Sequence, residues 1–384
     1  MPRRVPVPIS RTRWDPGDVD RRSGEASRTT DLDDLNELAR LDSQDVLGAV
    51  ERFADQCREG WEIGLGATGL PAADGIASIV VLGMGGSGVS GDVIQSMVEP
   101  RLPVPFRVIK TYGPLPEWVG RNTLVFAVSY SGSTEETMAA LEEAHTRGAR
   151  AVTISSGGPI ADMARDYGFA HVRIPGGLQP RASLGYLTMP ILAVLTLIGL
   201  VPDTQSEVDE AIEVLSDLAS RCHRKRGADE NPAKRLASAI HGHVPVAYGG
   251  AGIGATVAYR FKCDLNEYGK TPAYWHFLPE LDHNEIVGWN QLYDLTRSRF
   301  VLVFLRDSDE HERIQVRFGI TRRLIEQNVA EVIEISSEGE GVVARLLSLI
   351  LLTQLAAIYV GLLYGVDPGP VDVIQNLKSE LSST

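Results

Sequence analysis

Short apolar runs recur along the chain, and each ends in a glycine- or serine-rich turn. Residues 79–82 (IVVL) precede GMGGSGVSGD, 124–128 (LVFAV) precede SYSGSTEET, and 151–154 (AVTI) precede SSGGPI. Apolar runs without alternation suit strands covered on both faces. The stretch 134–146 behind the second run carries a helical period and supplies a crossover. Strand, turn and helix in this order predict a parallel sheet flanked by helices.

The second half repeats the order. Residues 245–248 (PVAY) precede GGAGIG, 300–305 (FVLVFL) precede RDSDEHERI, and 331–335 (EVIEI) precede SSEGEG. A glycine turn follows the first strand, a polar turn the second and Ser-Ser the third. We read one α/β unit written twice, the second copy altered at its polar turns. The expected division is a flexible lead over 1–34, a first unit with N-terminal helices over 35–203, and a helical connector over 204–234. A second unit follows over 235–365, then a tail over 366–384.

One segment tests whether the chain belongs in water. Residues 346–364 carry no charge, and that length could span a bilayer. Gln354 sits mid-segment, Arg345 precedes it and Gly365-Val366-Asp367-Pro368 stops it, so the expectation is a helix buried in a core or interface, with no membrane partner. The first residues hold arginines and prolines but no continuous apolar run, unlike a secretory signal. Cys57, Cys222 and Cys263 are the only cysteines, widely spaced and without a CxxC pair. Neither a disulfide framework nor a zinc site is expected, and a cytoplasmic location fits.

Fifty acidic residues against 37 basic ones give a net charge of -13. Whole-surface attraction to nucleic acid needs a basic face and is not expected. A locally positive site for a small anion remains open.

The turns carry the candidate chemistry. In Gly83-Met84-Gly85-Gly86-Ser87-Gly88 the glycines allow close approach of a ligand to the backbone, and a helix starting near Ser87 or Gly88 would aim its free N–H groups at an anion. A dinucleotide fingerprint wants an acid at the end of the next strand. Here that strand, 106–109, runs into Lys110, and no Gly-Lys-Ser/Thr follows. The turn Ser129-Tyr130-Ser131-Gly132-Ser133-Thr134 puts four serine and threonine hydroxyls within six residues. One of them would suffice for an ordinary N-cap. Beside the glycine turn, the set reads as a phosphate cradle outside the carboxyl ends of the strands.

These two turns together resemble the sugar isomerase (SIS) domain, a binder of phosphosugars. The resemblance runs from about Ile79 to Lys378 and is closest to the bifunctional phosphoglucose/phosphomannose isomerases. PGGLQPRASLGY (175–186), KCDLNEYGKTPA (262–273), PELDHNEIVGW (279–289) and YGVDPGPVDVIQNLK (364–378) carry it. It implies two tandem SIS domains of doubly wound, flavodoxin-like α/β type, hexose 6-phosphate substrates, no metal or other cofactor, and a homodimer.

The resemblance also assigns roles. Glu267 matches the base that moves a proton between C1 and C2 through a cis-enediol, although alone it reads equally as a solvated helix glutamate. His283 matches the ring-opening acid/base donated across the subunit interface; alone it reads as a loop histidine bonded to Asp282 or Glu285. Lys378 matches a catalytic lysine and Arg181 an arginine on substrate oxygens. Gly85, Gly86, Ser87, Ser129, Ser131 and Thr134 would bind substrate, the last three its phosphate. Residues 366–378 contain no Ser or Thr, where the family places a threonine hydroxyl tied to tolerance of the C2 epimer. The glucose activity is therefore implied more directly than the mannose activity. The alternatives are a non-catalytic phosphosugar-binding regulator, which would want a DNA-binding appendage, and an isomerase of another sugar phosphate.

Overall fold

A computed structural model of the chain describes residues 29–381 and 383. Three helices lead in: α1 (Leu35–Leu41), α2 (Val46–Glu51) and α3 (Phe53–Leu65). The first α/β unit contains β1 (Ser78–Leu82), α4 (Gly85–Val98), β2 (Phe106–Ile109), β3 (Thr123–Val128), α5 (Glu135–Thr146), β4 (Arg150–Ser155), α6 (Pro159–Tyr167), β5 (Ala170–Arg173) and α7 (Leu184–Leu197). Helices α8 (Gln205–Cys222) and α9 (Pro232–Ile240) connect it to the second. That unit contains β6 (Val244–Gly250), α10 (Ile253–Glu267), β7 (Tyr274–Leu278), α11 (Glu285–Gly288), α12 (Tyr293–Arg299), β8 (Phe300–Arg306), α13 (Glu312–Ile325), β9 (Glu331–Ser336) and α14 (Val342–Leu363). Helix α15 (Asp372–Leu381) follows.

Both sheets are parallel. The first has the order β2-β1-β3-β4-β5 and the second β7-β6-β8-β9. The second repeats the first with β6, β7, β8 and β9 in the places of β1, β2, β3 and β4. The duplication expected from the turns is thus a duplication of topology. Strands β1 and β3 are buried along their whole length, as runs covered on both faces should be.

Two strands escape the sequence pattern. β5 alternates buried and open positions, and β7 has both Tyr274 and Trp275 exposed. Both lie at sheet edges, where a continuous apolar run is not required.

The uncharged segment becomes most of α14, which is long and apolar enough to cross a membrane. Val343 through Leu363 are all buried inside the protein. A helix apolar on every side is a core helix when other helices surround it, and α14 packs on α8, α9 and α10. The lead falls largely outside the described residues. Its last part is docked rather than loose: Thr30 and Leu32 are buried, and Lys234, wholly buried itself, donates to Asp33 at 2.9 Å.

Candidate active site

The glycine turn after β1 and the hydroxyl turn after β3 lie at the carboxyl ends of neighbouring strands. Helix α4 begins at Gly85, two residues earlier than expected, with Gly85 at φ +51°. A left-handed residue at a helix start favours glycine. Neither α4 nor α5 has a side-chain cap hydrogen bond at its N-terminus. Their first-turn N–H groups therefore take no side-chain cap among the described residues, and such helix starts can accept an anion.

The hydroxyls are already ordered. Ser129 Oγ lies 2.8 Å from Thr134 Oγ1 and accepts from the Thr134 N–H at 3.4 Å, and Ser131 Oγ lies 3.0 Å from Ser133 Oγ. Ser129 is buried, whereas Ser131 and Ser133 are exposed. The buried Ser87 Oγ accepts from the Tyr130 N–H at 3.2 Å, which joins the two turns. Tyr130 Oη accepts from the Leu178 N–H at 2.9 Å and so ties in the loop leading to Arg181.

Arg181 stands on a short 3₁₀ turn, Pro180–Ala182, and is only 5% exposed. The first unit backs onto it at Gly86, where an added Cβ would lie 3.0 Å from the Arg181 nitrogen. The second unit grips its carbonyl from the other side. Arg260 Nη2 donates to that oxygen at 2.7 Å and Gln354 Nε2 at 2.9 Å. Arg260 is in turn paired with Asp264 at 2.8 Å, both buried. Burial pushes the Asp264 carboxyl up to about 6, with the Arg260 guanidinium opposing it.

The guanidinium of Arg181 meets Glu267. Nη1 lies 3.7 Å from Glu267 Oε2, and the ring of Tyr268 lies 4.9 Å from the guanidinium carbon. Nη2 donates to Pro368 O at 3.0 Å and also to Gly369 O. Nε is buried without a hydrogen-bond partner among the described residues, a donor that a protein interior rarely leaves idle. Glu267 is the last residue of α10 and lines a cleft of about 530 Å³ with Asn266, Lys270, Pro370 and Asp372.

The other two candidates stand apart. His283 is exposed on a 3₁₀ turn, Glu280–His283, and its side chain makes no hydrogen bond among the described residues. Asp282 and Glu285 are taken by other partners: Asp282 by Arg317 at 2.7 Å, Glu285 by Tyr248. Lys378 is exposed on α15 and makes no hydrogen bond or ion pair among the described residues. Within one chain, then, the two turns, Arg181 and Glu267 converge, and His283 and Lys378 do not join them by any polar contact. Sequence reasoning missed Lys270, Gln179, Arg260, Asp264 and Gln354. The first, third and fourth lie in or beside the stretch that singled out Glu267, and only tertiary contacts distinguish them.

Two parallel α/β units with hydroxyl and glycine turns at their strand ends define a tandem SIS-domain protein. Residues 76–196 match the SIS domain, and residues 229–381 match the bacterial phospho-glucose isomerase C-terminal SIS domain. A bifunctional phosphoglucose/phosphomannose isomerase of Caldicellulosiruptor bescii is 36% identical over 334 residues, 87% of this chain and 98% of the relative. One of Aquifex aeolicus is 37% identical over 304 residues, 79% and 90% of the two chains. The chain belongs to the bifunctional phosphoglucose/phosphomannose isomerase family. A solved glucose-6-phosphate isomerase-like protein from Thermus thermophilus shares the fold, with a TM-score of 0.59 over 89% of this chain and 98% of that one, at 19% identity.

Proposed function

We propose that this protein interconverts fructose 6-phosphate with glucose 6-phosphate and mannose 6-phosphate, as an aldose–ketose isomerase working through a cis-enediol. The observation that carries the reading is the contact of Arg181 with Glu267 at 3.7 Å, directly behind the Gly86 turn. A base, a cation and an anion cradle then surround one small substrate.

The phosphate would sit on Ser129, Ser131 and Thr134 and on the free N–H groups of α4 and α5, with Gly85, Gly86 and Ser87 along the sugar. Glu267 takes the C2 proton of the aldose, and the bonding pair becomes the C1–C2 double bond while O1 gains a proton. Returning the proton to C1, with loss of the O2 proton, yields the ketose. Such a base contributes on the order of 10²–10⁴-fold. Arg181 would face the enediolate oxygens with its planar fork of donors. Positive charge at this point lets an acidic protein hold an anionic substrate.

Ring opening is assigned to His283 of a second subunit in a homodimer. Its exposure, and that of Val287 four residues on, suit a subunit contact. Lys378 would reach the site from α15. Three free cysteines suit a reducing cytoplasm.

A coupled assay with glucose 6-phosphate and mannose 6-phosphate in parallel, in the presence of a metal chelator, tests the reading. Turnover is expected on glucose 6-phosphate with chelator present, and Glu267→Gln should abolish it while phosphosugar binding survives. Saturable binding without turnover in the wild type would favour a phosphosugar sensor.

A further inference from the structure

Lys270 has no part in the roles assigned above, yet four features mark it. It has φ +49°, in the left-handed region, just beyond the end of α10. The left-handed region favours glycine, and a residue with a Cβ costs roughly 1–2 kcal/mol there. Its ammonium donates to the carbonyl of Glu267 at 2.6 Å and to the carbonyl of Pro370. It also lines the same cleft as Glu267. Burial and the nearby Arg181 charge lower its pKa, with Glu267, Asp367 and Asp372 opposing.

The segment it holds is unusual. Pro368 and Pro370 offer no N–H, so Pro368-Gly369-Pro370 presents mainly carbonyls. Three side chains take them: Arg181 takes those of Pro368 and Gly369, Gln179 takes that of Gly369 at 2.8 Å, and Lys270 takes that of Pro370. Immediately beyond begins α15, which has no buried residue of its own and carries Lys378. With no residue of α15 buried, the anchor at its base is a principal restraint on its position. Lys378 lies six residues past Asp372, about 9 Å along the helix axis, so a small rotation at the base moves it substantially.

We propose that Lys270 is a positioning residue that clamps the C-terminal arm to the end of α10, and so fixes α15 and Lys378 relative to Glu267. This rests on the isomerase reading for its catalytic consequence, but not for its mechanical one. A glycine at this left-handed position would lack the side chain that bridges the carbonyl of the proposed base to the arm.

Lys270→Gly is the informative variant, because glycine suits the backbone and the fold should survive. Hydrogen exchange of residues 371–381 and isomerase kinetics would be measured on the full chain for wild type, K270G, K270R and E267Q. The clamp predicts amide exchange in the arm about tenfold faster in K270G, kcat lower by roughly 10- to 100-fold, KM nearly unchanged, and substantial rescue of both by K270R. Arm exchange in E267Q should match wild type. Unchanged arm exchange in K270G overturns the proposal. A kcat loss in K270G without faster arm exchange overturns it as well. Absence of turnover in the wild type would count against the isomerase reading alone, since the exchange measurement needs no turnover.

Discussion

Arg181 concentrates the chemistry at the scale of single residues. Its backbone is wedged between Gly86 of the first unit and the donors Arg260 and Gln354 of the second, while its guanidinium faces Glu267. The residues of the two turns were legible in the sequence because glycine and hydroxyl turns express their chemistry locally. Arg260, Asp264 and Gln354 were not, because their roles come from burial against an element far along the chain. Asp264 makes this testable. Its folded pKa, about 6, lies above the ordinary 3.8. Its contribution to stability is therefore fully present below the unfolded value and is lost as pH rises through about 6. Denaturant midpoints for wild type and Asp264→Asn should differ by an amount, wild type minus variant, that falls between about pH 4 and 7. A difference that grows with pH would contradict the assignment.

At the scale of elements, the two units share a strand order but differ in the turns at their strand ends. In the first, the ends of β1 and β3 leave hydroxyls and helix N–H groups open. In the second, the end of β8 is filled from within: Arg345 pairs with Asp307 at 2.7 Å and Arg306 Nε donates to Glu310 at 2.7 Å, beside Gly250. Carboxylates replace the hydroxyls, so the second copy satisfies its own cations. The altered polar turns were visible in the sequence, but their closure by Arg345 was not, since that residue arrives from α14. Likewise β5 and β7 lacked a signal because edge strands need no unbroken apolar run. The contact of the first turn with the Arg181 segment gives a direct prediction. Gly86→Ala places a Cβ 3.0 Å from Pro180 and Arg181 backbone atoms. Because the site rather than the core is displaced, kcat should fall by roughly 10²-fold, with a stability change near 1 kcal/mol. Steady-state kinetics together with thermal unfolding would show it; a large loss of stability at full kcat would contradict the geometry.

Across the whole molecule, a net charge of -13 is compatible with the proposed phosphate site because that cradle would be built from neutral donors, with Arg181 alone of the converging residues bringing positive charge to it. Each chain brings together Glu267, Arg181 and the two turns of the first unit, but holds His283 out in solvent. The claim joining the three scales is that Glu267 of one subunit and His283 of another act on one hexose phosphate. Mixing two inactive variants tests it most directly. If the chain forms the proposed homodimer, co-expressed Glu267→Gln and His283→Ala chains would form half mixed dimers, each with one site that keeps both groups. Activity should therefore return to about a quarter of wild type if pairing is random. Two variants inactive alone that remain inactive in the mixed dimer would contradict the shared site.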